Sequence, residues 1–210
     1  MVVNARIEGH DCTLFYDYDY HHNCSLKSLT HDGKIEWLER RMNMIFLDPM
    51  KKLTDRNSDV FKALEHPKGE PPMTAMLMIV SLLMNGMEAL GSFLTTSESN
   101  ATRFNEFVDE YMRDWTQFVD SPHHGRKKLS EILWKSYRNG LAHSFAIIHA
   151  GIESLPGTEK FAVSNGALQI DGWKLFDDLQ LGISKMFSDI RSNAQTKRLF
   201  LERFRNVYKC

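Results

Sequence analysis

Arg138, Asn139 and His143 lie within six residues of one another, in the stretch Tyr137-Arg138-Asn139-Gly140-Leu141-Ala142-His143, and their types suit chemistry on an anionic group. Histidine side chains titrate near neutrality, so an imidazole here can take up a proton and return it. A guanidinium is planar and permanently charged, which fits it to hold an anion and to stabilise the charge that builds up in a transition state. Asn139 precedes His143 by one helical turn, close enough for its amide to orient the imidazole or bond the same anion. Arg138 and His143 are five apart and do not stack on one face. Either Arg138 reaches around the helix, or a second copy of the chain completes the pair. The spacing alone is weak, because 12 arginines and 9 histidines in 210 residues give roughly one or two comparable matches by chance; requiring asparagine directly after arginine brings that to about 0.1.

These residues need a rigid support. The turn Ser121-Pro122-His123-His124-Gly125 predicts a helix that starts near Arg126 and runs through Leu129, Ile132, Leu133, Leu141 and Phe145 to about Ala150. Before it, an apolar helix spans about Thr74 to Thr95. An amphipathic helix follows it, with Phe104, Phe107, Tyr111, Trp115 and Phe118 as an aromatic stripe. On the apolar helix, Ser81, Asn85, Glu88 and Ser92 make a polar stripe at helical spacing. A carboxylate buried there needs a partner, and Arg138 is the one we expect for Glu88. The helix cannot cross a membrane cheaply, since those polar residues interrupt it.

The Arg-Asn-x-x-x-His stretch, together with Gly86-Met87-Glu88-Ala89-Leu90-Gly91 on the preceding helix, resembles the signature of HEPN domains over residues 73–193. The resemblance implies a compact helical bundle that dimerises so that two Arg/His motifs share one cleft. It also implies a metal-independent endoribonuclease, of a kind found among toxins and phage-defence proteins, although some members of the family have no nuclease activity. On that reading the catalytic residues are Arg138, Asn139 and His143, and Glu88 supports them by orienting Arg138. Arg126, Lys127, Lys128 and Lys135 supply local positive charge for RNA, with Arg138 and against Glu131 alone in that stretch. Attack by the ribose 2′-hydroxyl leaves a 2′,3′-cyclic phosphate and a 5′-hydroxyl. No cofactor or metal is expected. The implied partners are RNA, a second copy of the chain, and an antitoxin or regulatory protein. In the family, toxins paired with nucleotidyltransferase antitoxins often carry tyrosine two residues beyond the histidine. This chain has Phe145 there, so control by modifying that hydroxyl is not expected.

Blander readings compete with each feature. Arg138 can be a structural ion-pair partner and His143 a core histidine, which would leave a catalytically silent module that binds a protein or nucleotide. His123-His124 can be plain turn surface, and the run of methionines from Met73 to Met87 adaptable packing. His10, Cys12, His21, His22, Cys24 and His31 gather zinc-type ligands near the N-terminus, without the spacing of a known zinc motif. The basic tail, Lys197, Arg198, Arg203, Arg205 and Lys209, can be a solvated face.

The whole chain sets the frame. A formal net charge of -1 gives no global electrostatic case for nucleic-acid or membrane binding, so any such site is local. Three scattered cysteines do not make a disulfide framework and fit a reducing cytoplasm. We expect a mainly α fold, a HEPN-like helical bundle with small β-hairpin additions. Residues 1–72 form an N-terminal extension of β-ribbon and helices, strand-like over the first 30 residues through Val2-Val3 and the alternation Tyr16 to Tyr20. Ile35, Leu38, Met42 and Ile45 mark a helix from Lys34 that breaks at Asp48-Pro49 and restarts through Leu53, Val60, Phe61 and Leu64. Residues 73–193 form the bundle, with a hairpin at 160–171 turning on Asn165-Gly166 and a helix from Trp173 to about Ile190. Residues 194–210 form a basic C-terminal helix.

Overall fold

In the computed structural model the chain opens as an antiparallel ribbon, β1 (Val3–Ile7) paired with β2 (His10–Leu14) so that Val3 lies opposite Leu14 and Ile7 opposite His10. The structure describes residues 3–7, 10–14, 23–55, 59, 73–144, 146–147 and 149–208, with side chains from residue 26 onward apart from 73–75 and 144. The Tyr16 to Tyr20 alternation lies outside the described residues, as do Val60, Phe61, Leu64 and Phe145. The first 30 residues are not all strand: α1 (Asn23–Ser28) is helical, with Leu26 buried.

The next helix differs from the expected break and restart. Thr30 caps it by accepting from the Gly33 N–H at 3.0 Å. It then runs without interruption through His31–Arg41, a wider π-helical Met42–Leu47 and Asp48–Thr54, together α2. Pro49 has no N–H and crowds the carbonyl four residues back, which normally ends or kinks a helix. Here the backbone is widened just before it, the Asp48 N–H reaching back five residues to the Asn43 carbonyl. The strain is absorbed within the helix.

The centre of the fold is α3 (Met73–Gly91), whose Val80, Leu83, Met84, Met87 and Leu90 are fully buried. It packs against α4 (Asn100–Tyr111), capped by Ser99, and Phe104, Phe107 and Val108 face it as the amphipathic pattern predicts. Gly91 is where the two helices nearly touch: a Cβ there would lie 1.7 Å from the Arg103 carbonyl oxygen. That obstacle is backbone and cannot swing aside. Gly91→Ala is expected to lower the unfolding free energy by about 2–3 kcal/mol, measured by urea denaturation. Wild-type stability in the variant would mean that the helices separate without cost.

The aromatic stripe leaves the α-helix at Tyr111, with Trp115 fully buried in a single 3-10 turn, Arg113–Trp115. After a short turn, Phe118 opens β3 (Phe118–Ser121), which pairs antiparallel with β4 (Gly125–Lys128). Val119 and Ser121 point inward and Phe118 and Asp120 outward, the period-two burial of a strand. Arg126, Lys127 and Lys128 therefore belong to a strand and not to the expected first turn of the motif helix. That helix, α5, comprises Leu129–Ile132, a π-helical Leu133–Arg138 and Asn139–Ser144. It stops six residues short of Ala150, which lies in β5 (Ala150–Ile152).

The hairpin on Asn165-Gly166 forms as read, β6 (Phe161–Ser164) against β7 (Ala167–Ile170), with φ of 50° and 77° at its two turn residues. β5 adds to β7 in parallel, a long-range pairing with no local sequence signal, and gives a three-stranded sheet. The chain ends with α6 (Gly172–Ser192), capped by the buried Asp171, and α7 (Ala194–Tyr208). Side chains from before residue 72 and after residue 193 join the bundle in one apolar cluster. Trp37 of α2 packs edge-on to Phe204 and Tyr208 of α7, at ring distances of 5.7 and 5.0 Å. Leu26, Ile35, Leu47 and Met50 belong to the same apolar cluster as α3. Among the described residues no helix is long and apolar enough to cross a membrane.

Candidate active site

The face that α5 buries is regular: Leu129, Ile132, Leu133, Ser136, Tyr137, Gly140 and Leu141, at three- and four-residue steps, turn toward the core. Tyr137 fixes the rotation of the helix. Its hydroxyl donates to the Gly151 carbonyl at 2.7 Å and the Leu168 carbonyl at 3.0 Å, tying α5 to the three-stranded sheet. Burial pushes this phenol well above the ordinary tyrosine range. The remaining face is left for Lys135, Ala142 and His143, all exposed, with Arg138 and Asn139 half-buried at its edge. The π-helical turn ends at Arg138, where the Asn139 N–H bonds the Trp134 carbonyl five residues back. Such irregular turns are often found at functional positions.

Arg138 meets Glu88, the pairing read from the polar stripe on α3. Its Nε and Nη2 both lie 2.7 Å from Glu88 Oε2, and the two side chains keep only 15% and 16% of their exposure. The guanidinium also rests 5.0 Å from the Trp134 ring. The Nε–H donates to the carboxylate, Nη2 is in ion-pair contact with the same oxygen, and the other N–H groups bond no acceptor among the described residues. The rest of the polar stripe is not buried: Asn85 is exposed, and Ser92 bonds back to the Ala89 carbonyl at 2.6 Å. His143 is exposed, and its ring has no hydrogen-bond partner among the described residues, so it is not a core histidine. The Asn139 amide likewise makes no hydrogen bond among them.

The basic side chains divide. Lys128 bonds Asp109 at 3.1 Å beside Ser130, so it is already engaged. Arg126 lies over the exposed Phe118 ring at 5.7 Å, while Lys127 and Lys135 are exposed with no ion-pair partner among the described residues. In the tail, Lys197 pairs with Asp32 at 2.6 Å and Arg203 with Glu98 at 3.5 Å, which makes them part of the fold. Of the six zinc-type ligands, only the side chain of His31 is among those described, and it is exposed.

Sequence reasoning missed two groupings. His123 and His124, read as turn surface, meet His149 from the segment before β5. The His124 Nε2 is 3.2 Å from Ser136 Oγ on α5. Burial holds the His124 imidazole below the usual histidine range, opposed by a hydrogen bond to the His149 backbone and aided by Lys135 and the two neighbouring imidazoles. The doublet before Gly125 was the one available signal, and nothing local marked His149. The second grouping is a cleft of about 410 Å³ between α4 and α6, away from the motif. Several of its polar groups are paired: Tyr111 donates to Asp189 at 3.1 Å, Trp115 to Asp178 at 2.7 Å, and Lys160 bridges Asp114 and Asp178.

Comparison with protein-family models, with curated proteins and with solved structures finds no match to this chain.

Proposed function

We propose that the chain is a HEPN-type endoribonuclease that cuts RNA without a metal, working as a homodimer in the cytoplasm, as toxin or defence proteins of that class do. The observation that carries this reading is the contrast along α5: Arg138 is anchored by Glu88 with donors to spare, while His143 stands exposed on the same helix. Positioning by a fixed partner is what a phosphate-binding guanidinium needs, and access to solvent is what an acid–base group needs. In the reaction, His143 takes the proton of a ribose 2′-hydroxyl and the 2′-oxygen bonds to phosphorus. The bond to the 5′-oxygen breaks, and that oxygen takes a proton from an imidazolium, that of the same copy or of the second. Arg138 holds the non-bridging oxygens, and Asn139 bonds the phosphate or the ring. Lys127, Lys135 and Arg126 draw the strand in, with Lys128 in the same ribbon.

A second reading, a catalytically silent module, draws on the same ion pair, since the bond to Glu88 and the contact with Trp134 are also what a structural arginine makes. Incubating the protein with a mixed-sequence RNA in EDTA separates the two. The expected result is cleavage to 2′,3′-cyclic phosphate and 5′-hydroxyl ends. Intact RNA would favour the silent module, and ends of any other kind would overturn attack by the 2′-hydroxyl.

A further inference from the structure

Three imidazoles, the neighbours His123 and His124 and the distant His149, meet at the surface beside α5. The His123 and His149 rings stack at 4.4 Å between centroids and 14° between planes, and His124 stands edge-on to His149 at 6.4 Å. This assembly is held from several sides. The Ser136 contact ties His124 to α5 two residues before Arg138. The Asn165-Gly166 turn lies under His123, since a Cβ on Gly166 would be 3.9 Å from its Nε2. His149 holds a φ of 54°, a left-handed backbone that a histidine rarely adopts. Strain of this kind persists only where the surroundings impose it, and it gathers at functional positions.

The stack does not serve the core, because His123 and His149 are both exposed. What it presents to solvent is a flat aromatic surface. Around it the side chains are basic: Lys127 is exposed on the adjoining strand and Lys135 on α5. On the outer face of the same ribbon, Phe118 is 61% exposed beneath Arg126, and Asp120 lies opposite Arg126 in the ladder. Flat rings interleaved with cations match single-stranded nucleic acid, whose unstacked bases lie on aromatic and histidine rings while lysines meet the phosphates.

We propose that the His123–His149 stack is a base-binding subsite, taking one unpaired RNA base, with Lys127 and Lys135 on the flanking phosphates. It rests on the nuclease reading only for what happens to the RNA afterwards.

The test uses the full-length chain carrying His143→Ala, so that RNA survives, and two fluorescent probes followed by anisotropy. One is a short single-stranded oligoadenylate and the other an abasic ribose-phosphate oligomer of equal length. Adding His123→Ala is expected to weaken oligoadenylate binding by about 5- to 100-fold and to leave the abasic oligomer unaffected. His123→Phe restores the loss, because it keeps a ring without a titratable nitrogen, and Lys127→Ala weakens both probes. Equal loss on both probes, no loss, failure of His123→Phe to restore binding in a protein of unchanged melting temperature, or no binding of oligoadenylate at all would each overturn the subsite. Cleavage of RNA by the unmodified chain is scored separately. If it persists while the subsite fails, the nuclease reading stands alone; base-dependent binding without cleavage leaves the subsite and removes the nuclease.

Discussion

His143→Ala is expected to slow RNA cleavage sharply and to leave the fold as stable as before. The loss expected for an acid–base group is about 100- to 10,000-fold in rate. It should appear in the chemical step, with RNA affinity little changed, because no ground-state contact of the ring is needed to hold the strand. The stability half of the expectation comes from the position of the side chain. His143 is exposed and unpartnered among the described residues, so alanine there removes no burial and strands no polar group. Surface changes of that kind stay within about 0.5 kcal/mol. Single-turnover cleavage and thermal melting of the same preparation measure both halves. Cleavage at the wild-type rate takes His143 out of the chemistry. A melting point lowered by many degrees would show a structural histidine, and with it the silent module.

Much of this architecture is legible from residues alone, and the reasons for the exceptions are physical. The apolar run of α3 marks a core helix, although its Met78 and Leu82 stay exposed, and Asn165-Gly166 specifies its own turn through two positive φ angles. Glu88 and Arg138 could be paired in advance because an isolated carboxylate on an apolar helix has few tolerable environments. The start of α5 was placed too early because Arg126, Lys127 and Lys128 are good helix formers. Their strand conformation comes from pairing with Phe118 to Ser121 across a turn, and that is tertiary context. Pro49 led to an expected break because the i+5 backbone register that accommodates it leaves no mark in composition. His149 was invisible for a related reason. Its ring matters through a stack with His123, 26 residues earlier, and a parallel pairing of β5 that only the folded chain creates.

Glu88→Ala is expected to destabilise the protein by about 3 kcal/mol, the largest loss for any single side chain at this site. The magnitude follows from burial. With 15% and 16% of their surface left, Arg138 and Glu88 are largely removed from water, and taking away the carboxylate leaves a guanidinium without its counter-charge and the acceptor of its Nε–H. Arg138→Ala strands the opposite charge and should cost a similar amount. The two losses therefore do not add: removing both residues together, as Glu88→Leu with Arg138→Leu, fills the same space with apolar side chains and is expected to recover most of the stability. Urea denaturation of the wild type, Glu88→Leu, Arg138→Leu and the double-leucine variant completes the cycle, and losses that simply sum would mean the pair is not coupled. The cycle also bears on function. The double-leucine variant keeps the bundle and the exposed His143 but has no guanidinium, so a stable protein that no longer cuts RNA assigns Arg138 to the phosphate. One that still cuts would confine Arg138 and Glu88 to holding α5 against α3.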